Sequence, residues 1–175
     1  MLRNMRRWRK DEDGSTTVEF VLALPLFFTL LMAIFELSYL VLKIVTFDDA
    51  VAQASRFIYT GAAQGGAITA PQLEGFICEN APFFTDCEEN IMVEARPIAD
   101  FGATPTDNAS CRDSADTGLQ PAAAFSAGGS NEIMFLRVCV TTDTVFPLDS
   151  FGLDIDRTPS GRIQLVSQTA FTNEP

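Results

Sequence analysis

The sequence contains no histidine, and this absence excludes several kinds of catalytic and metal site at once. A Ser-His-Asp triad cannot be assembled. Zinc binding is disfavoured too, because the four cysteines include no C-x2-C pair. The motifs G-x-S-x-G and H-E-x-x-H and the phosphate-binding loop are also missing. We therefore predict a protein that is not an enzyme and that needs no metal and no cofactor.

Positive charge is scarce beyond the start of the chain. The whole sequence has 12 basic and 23 acidic residues, for a net charge of −11. Positions 1–14 hold five of the basic and three of the acidic residues, so the remainder has 7 basic and 20 acidic residues, a net charge of −13. Because an acidic surface repels phosphates, we predict no nucleic-acid partner.

What the chain does contain is one long apolar run. From Phe20 to Leu42 the only charged residue is Glu36. A helix of this length covers about 35 Å, enough to cross a hydrocarbon core of ~30 Å. The run is too long for the apolar region of a secretory signal, and no small-x-small cleavage pattern follows it. We predict a retained transmembrane helix, with a core helix of a soluble protein as the alternative.

Charge also predicts the orientation of this helix. Five basic residues precede the apolar run, and only Lys43 and Arg56 follow it closely. Since positive charge stays on the cytoplasmic side, the N-terminus is expected in the cytoplasm and the last ~130 residues across the membrane.

All four cysteines (Cys78, Cys87, Cys111 and Cys139) lie beyond the apolar run. In an oxidising compartment they would form two disulfides, for which three pairings exist. We favour Cys78–Cys87 with Cys111–Cys139, because the first pair is close in sequence and closes a small loop. Free buried thiols are the alternative.

The pattern beyond the run predicts an α+β fold. A helix over about 16–60 would continue as an amphipathic stalk, with a short helix over 71–81. Strands are expected at 91–96, 132–142 and 162–171, separated by long surface loops. The outer half of the long helix would pack on a small antiparallel sheet of three or four strands. The stalk's apolar residues are Phe47, Val51, Ala54, Phe57 and Ile58.

The motif GSTTVEF, from Gly14 to Phe20, follows the basic head directly. It resembles the type IV prepilin processing site. The resemblance implies that a prepilin peptidase cuts after Gly14, leaving Ser15 as the new N-terminus and Glu19 at its fifth position. Glycine lets a protease approach the backbone closely. In pilus-like assemblies, the carboxylate of Glu19 could pair with the α-amino group of a neighbouring subunit. The alternative is an ordinary anchor in which Glu19 only complements the helix dipole.

A wider stretch resembles the TadE-like family, minor pseudopilins of the tight-adherence (Flp-type IVb) pilus system. The likeness includes Pro25, a second acid late in the apolar run (Glu36, after Phe35), the stretch DDAVAQASRFIYTGAAQ and the terminal TAFTNEP. It implies a pilin-like α+β subunit without enzymatic activity that serves pilus assembly, adhesion and biofilm formation. The TadE and TadF branches both remain open.

The same resemblance implies partners, location and domains. The partners would be a prepilin peptidase, other pilins or pseudopilins and the Tad inner-membrane assembly platform. The location would be the bacterial inner membrane with a periplasmic C-terminal domain, or the cell surface together with the pilus. The expected divisions are a basic leader (1–14), a transmembrane and stalk helix (15–61) and a globular α+β domain (62–175).

Glu36 and the overall function each leave two interpretations open. An ionisable group inside a membrane helix usually has a function, so Glu36 could contact a partner helix in assembly, as Glu19 and Phe20 would, or lie near the outer interface. The rival function is a generic single-pass envelope protein whose exported domain binds a ligand or a protein. That rival predicts an intact leader.

Overall fold

The structure is a computed structural model that describes residues 15–60, 68–105, 109, 111–119, 121–145 and 157–174. The predicted leader (1–14), including Gly14, lies outside the described residues, as does Gly61, the last residue of the predicted transmembrane and stalk helix. Helix α1 spans Ser15–Tyr59 and continues through Pro25. These bounds differ from the predicted ones by one residue at each end.

Two shorter helices follow α1. Helix α2 spans Ala70–Asn80, and the Thr69 backbone amide donates to Gln72 Oε1 at its start. Pro71 fits this first turn because its missing N–H would have no helical partner. Helix α3, Cys87–Asn90, is a single turn between α2 and the first strand. Asp86 enters it with a left-handed φ of 52°.

The sheet has three strands in the order β1-β2-β3, with both neighbouring pairs antiparallel. Strand β1 spans Ile91–Ile98, β2 spans Ile133–Thr142 and β3 spans Ile163–Thr172. All three lie within two residues of the predicted positions. Val138, in the middle of β2, is opposite Val93 on one side and Ser167 on the other.

One face of the sheet packs on the helices and forms the core. Alternate residues of β1 and β2 point to this face because side chains on a strand alternate. The core residues from the sheet are Ile91, Val93, Ala95, Leu136, Val138 and Val140. They meet Phe47, Ala50, Val51, Ala54 and Ile58 of α1, and Leu73 and Ile77 of α2. The predicted α+β architecture, with a long helix covering a small antiparallel sheet, is confirmed.

The opposite face of β2 is also buried, which corrects the prediction that the β1–β2 connection is only a surface loop. Phe135, Arg137 and Cys139 are buried on that face. Part of the connection returns to β1, where the Ala95 amide donates to the Ala124 carbonyl at 3.0 Å. The Ser126 amide donates to the Ala95 carbonyl at 2.8 Å. These bonds add one part of the connection to the free edge of β1. The Thr141 hydroxyl donates to the Arg112 carbonyl at 3.0 Å, which places another part over the face of β2 that the helices leave open.

The buried arginine on this second face has a carboxylate partner. Arg137 lies opposite Glu94 on the neighbouring strand, and Nη2 of Arg137 is 2.6 Å from Oε2 of Glu94. Nε of the same guanidinium donates to the same oxygen at 2.9 Å. A buried cation is costly unless it is paired, so this ion pair makes the position tolerable.

The structure joins Cys78 to Cys87 and Cys111 to Cys139 by disulfides. The first links α2 to α3, with the Cα atoms 5.7 Å apart. The second fastens the covering connection to β2, with the Cα atoms 5.3 Å apart. Both Cα separations lie in the normal range for a disulfide.

The two disulfides are expected to differ in stabilisation. Loop closure predicts about 3.5 kcal/mol for the pair separated by 28 residues and about 2.5 kcal/mol for the pair separated by 9. The double variant C111A/C139A should therefore unfold at lower denaturant concentration than C78A/C87A. Denaturant unfolding in detergent measures this difference, and peptide mapping without reductant checks the pairing. Peptides joined in any other combination would contradict the assignment.

Candidate membrane and assembly surface

The exposure of α1 changes abruptly along its length. From residue 16 to residue 35 nearly every side chain is exposed, although the stretch is apolar. Leu22 is 74% exposed and Leu26 is 75% exposed. From Glu36 onward, one stripe of the same helix is buried against the globular domain. The helix therefore has a free half, residues 16–35, and a docked half, residues 36–59.

The free half has the length and composition of a membrane span. About 20 residues of helix rise about 30 Å, the thickness of a hydrocarbon core. Among the described residues one helix is long and apolar enough to cross a membrane, and none of its most apolar window is buried. A core helix of a soluble protein would be buried, so the exposure of this window supports membrane anchoring.

The docked half begins with contacts to the strap, which we define as residues 142–145 at the end of β2. The Val145 amide donates to Glu36 Oε1 at 3.0 Å. Lys43 Nζ donates to Thr142 Oγ1 at 2.7 Å and to the Asp143 carbonyl at 3.2 Å. Glu36 is 4% exposed and Lys43 is 6% exposed. The boundary between the free and docked halves is thus held by two buried charged groups.

The strap is itself tied to a buried polar cluster at the same end of the sheet. Arg162, just before β3, holds the Asp143 carboxylate, with Nε 3.0 Å from Oδ1. Its Nη1 donates to Oδ1 of Asn90, which is fully buried and also accepts from the Ser114 amide. These contacts join the strap, β3, α3 and the covering connection.

Asp113 belongs to this cluster as a second partner of Arg162. Burial acts to raise the pKa of Asp113, but hydrogen bonds from Ser160 and Thr158 and the charge of Arg162 outweigh it and hold the pKa below its usual value. The carboxylate is therefore ionised across the ordinary pH range. Its contribution to stability is present above the unfolded-state pKa and is lost only as the pH falls through the lowered folded-state pKa.

The far end of α1 is closed by the chain's last described residues. The Glu174 amide donates to the Tyr59 carbonyl at 3.0 Å. The Glu174 side chain accepts a hydrogen bond from the Tyr59 hydroxyl and raises the pKa of Tyr59. Buried Asn173 donates to the carbonyls of Ala127 and Gly129 at 3.0 and 3.1 Å. The terminal sequence singled out above thus fastens the end of α1 and the β1–β2 connection to β3.

The predicted site residues fall in separate places. Ser15 is the first residue of α1, and Glu19 and Phe20 are exposed on the free half. Glu36 lies about 25 Å further along the same helix, so the structure does not bring it near Glu19. The described residues contain no cluster of three or more His, Cys, Asp or Glu side chains that could hold a metal ion.

One protein-family model matches the free half and most of the docked half of α1. Residues 14–56 match the family model described as TadE-like protein. The resemblance is thereby confirmed for this part of the chain, and we call residues 14–56 the TadE-like segment. Neither the curated proteins nor the solved structures give a significant match.

Sequence reasoning missed several residues that the structure makes important around the TadE-like segment. Lys43 follows the apolar run as an isolated basic residue, although it lies two helical turns from Glu36 and so on the same face. Asn90 and Arg162, which join four elements, carried no pattern at all. Within the predicted stalk, Phe57 is half-exposed and contacts Phe76, while Ala50 takes a place in the buried stripe.

A charge in the middle of the free half should impair membrane anchoring. Leu26→Arg is expected to cost about 2.5–3.5 kcal/mol of insertion free energy, since arginine is strongly disfavoured at the centre of a transmembrane helix. The measurement is the fraction of protein that resists alkaline carbonate extraction from membranes. Leu119→Arg, at a fully exposed loop position, is the control and should stay membrane-bound. Equal retention of both variants would argue against a span centred near residue 26.

Proposed function

We propose that this chain is a minor pseudopilin, a non-enzymatic subunit for the assembly of a Tad-type adhesion pilus. The TadE-like segment supports an association with the Tad pilus. The observation that carries the proposal is that the family match and the membrane helix begin at adjacent residues. The family match begins at Gly14, and α1 begins at Ser15 with an exposed apolar half behind it.

Maturation would expose a new end on the membrane helix. The five basic residues of the leader favour a cytoplasmic N-terminus, where a prepilin peptidase would cut after Gly14. The cut would remove most of the positive charge at that end and leave the α-amino group of Ser15. The remaining helix would stay in the inner membrane with the globular domain on the periplasmic side.

Glu19 and Phe20 would then act in assembly. Glu19 lies at the start of the apolar half, and its side chain is exposed on the helix surface. A carboxylate at membrane depth is costly, and the α-amino group of a neighbouring mature subunit would supply the opposite charge. The exposed Phe20 ring lies next to it and would pack on the same neighbour. This pairing would set the axial register of adjacent subunits.

The size of the exported domain favours a minor over a major role. In the pilus system that the chain resembles, a major Flp pilin is little more than a helix. The described part of this chain carries a sheet, two further α-helices and two disulfides after α1. Such a domain suits the tip, the base or the priming of a pilus. Its partners would be the other pilins and the Tad inner-membrane assembly platform.

The second candidate is a single-pass envelope protein that keeps its leader and binds a ligand or protein through its exported domain. The free half of α1 would suit an anchor of this kind equally well. The two functions differ in the fate of residues 1–14, so the mature N-terminus separates them.

Replacing Gly14 should block processing. Gly14→Leu is expected to slow trimming about tenfold or more, because a side chain at this position keeps the protease from the backbone; tenfold corresponds to ~1.4 kcal/mol of transition-state stabilisation. Mass spectrometry of membrane-extracted protein reports the N-terminus, which should be Ser15 in the unaltered chain. Ser130→Leu, a change far from the site, serves as the control. An unaltered chain that keeps residues 1–14 in pilus-forming cells would favour the second candidate.

Removing the Glu19 carboxylate should impair assembly without impairing insertion. In Glu19→Ala the amount of protein that co-purifies with partner pilins should fall about tenfold or more, since losing one member of a desolvated ion pair costs roughly 2–5 kcal/mol. Glu79→Ala, at an exposed acid of α2, is the matched control. Normal co-purification and normal pilus formation by Glu19→Ala would show that the carboxylate has no intersubunit role.

A further inference from the structure

We propose that Glu36 and Lys43 hold the strap against α1 and so fix the globular domain at the outer surface of the membrane. Glu36 would then act within its own chain, as a positioning residue, and not as a contact for a neighbouring helix. The proposal requires that the free half of α1 lie in a membrane. It requires neither leader cleavage nor pilus assembly.

The two residues are placed to act together. They are seven positions apart, which is close to two helical turns, so both point from the same face of α1. Glu36 accepts the Val145 amide, and Lys43 donates to Thr142 Oγ1 and the Asp143 carbonyl. The strap is therefore bonded at both of its ends, with the acceptor supplied by one residue of α1 and the donors by the other.

Burial makes these contacts necessary to the fold. A buried carboxylate or ammonium group costs several kcal/mol unless it is paired or hydrogen-bonded. The strap supplies a backbone donor to the acid and two oxygen acceptors to the base. Lys43 Nζ also lies 4.8 Å from the centre of the Tyr39 ring, which adds a cation–π contact. A strap that left α1 would expose both charged groups to the membrane interface without these partners.

The composition of the strap indicates how deep it lies. The Asp143 side chain is 74% exposed on the strap while bound to Arg162. An exposed carboxylate is costly inside hydrocarbon, so the strap marks the level at which the hydrocarbon ends. Below the strap, the uncharged run from Phe20 to Phe35 rises about 24 Å, so a hydrocarbon core of ~30 Å that starts at Phe20 ends about one turn beyond Glu36, within the part of α1 that the strap contacts. This agreement selects the interfacial interpretation of Glu36.

Hydrogen–deuterium exchange of the full chain in lipid nanodiscs tests the proposal. In Glu36→Leu the Val145 amide loses its acceptor, and its exchange should become about tenfold faster or more, since a hydrogen bond to a charged group is lost. The amides in the middle of β2, such as Val138, should keep their exchange rates. Lys43→Met should also speed exchange at the strap, because it removes both hydrogen bonds that Lys43 Nζ donates to Thr142 and Asp143.

Two further variants separate the strap contact from general damage. Glu36→Gln keeps an oxygen acceptor, so the Val145 amide should exchange more slowly in this variant than in Glu36→Leu. Asp48→Leu removes an exposed acid from the same helix and should leave the strap unchanged.

Three results would overturn the proposal. The first is unchanged exchange at Val145 in Glu36→Leu. The second is faster exchange throughout β2 in both Glu36 variants, which would mean that the effect is not confined to the strap. The third is Val145 protection that rises with the number of subunits per nanodisc, which would assign Glu36 to a contact between subunits. Leader trimming is measured independently on the same variants, so a failure here is distinguishable from a failure of the pseudopilin proposal.

Discussion

The structure depends on one unbroken helix that meets two different surroundings. Helix α1 spans Ser15–Tyr59, so a contact that orients its free half also orients the domain packed on its docked half. In the free half apolar side chains face outward on all sides, as lipid requires. In the docked half a single stripe is buried, as a sheet requires. The change occurs at Glu36, within one turn of helix, and the rest of the fold is arranged around that point.

The globular domain is held to the docked half at both of its ends. At the membrane end, Glu36 and Lys43 bind the strap, and Asp143 carries this contact on to Arg162. At the far end, Glu174 closes the last turn of α1. Between these polar contacts lies the apolar core. Polar groups at the two ends and apolar groups between them make the domain and the docked half one packed unit. A contact that the helix makes with another subunit would therefore also orient the domain.

Much of this fold could be predicted from local pattern. The run from Phe20 to Leu42, in which only Glu36 is charged, predicts the membrane helix, and alternation in β2 predicts the central strand. Local pattern did not predict the contacts between residues that are far apart in the sequence. Lys43 and Thr142 are 99 positions apart, and nothing in either neighbourhood indicates that they meet. The β1–β2 connection is rich in loop-forming residues, and its local pattern does not indicate that it pairs with the edge of β1 at Ala95 or covers the second face of β2.

The central claim is that the hydrocarbon ends at the level of the strap, between Glu36 and Lys43, and depth-dependent quenching tests it most directly. Single tryptophans would be placed along α1, at Leu22, Leu26, Leu30, Val41 and Val45, in a Trp8→Phe chain reconstituted with lipids brominated at defined depths. The account predicts the deepest positions at Leu26 and Leu30, shallower positions at Leu22 and Val41 and no quenching by acyl-chain bromine at Val45. Strong acyl-chain quenching at Val45, or none at Leu26 and Leu30, would contradict it.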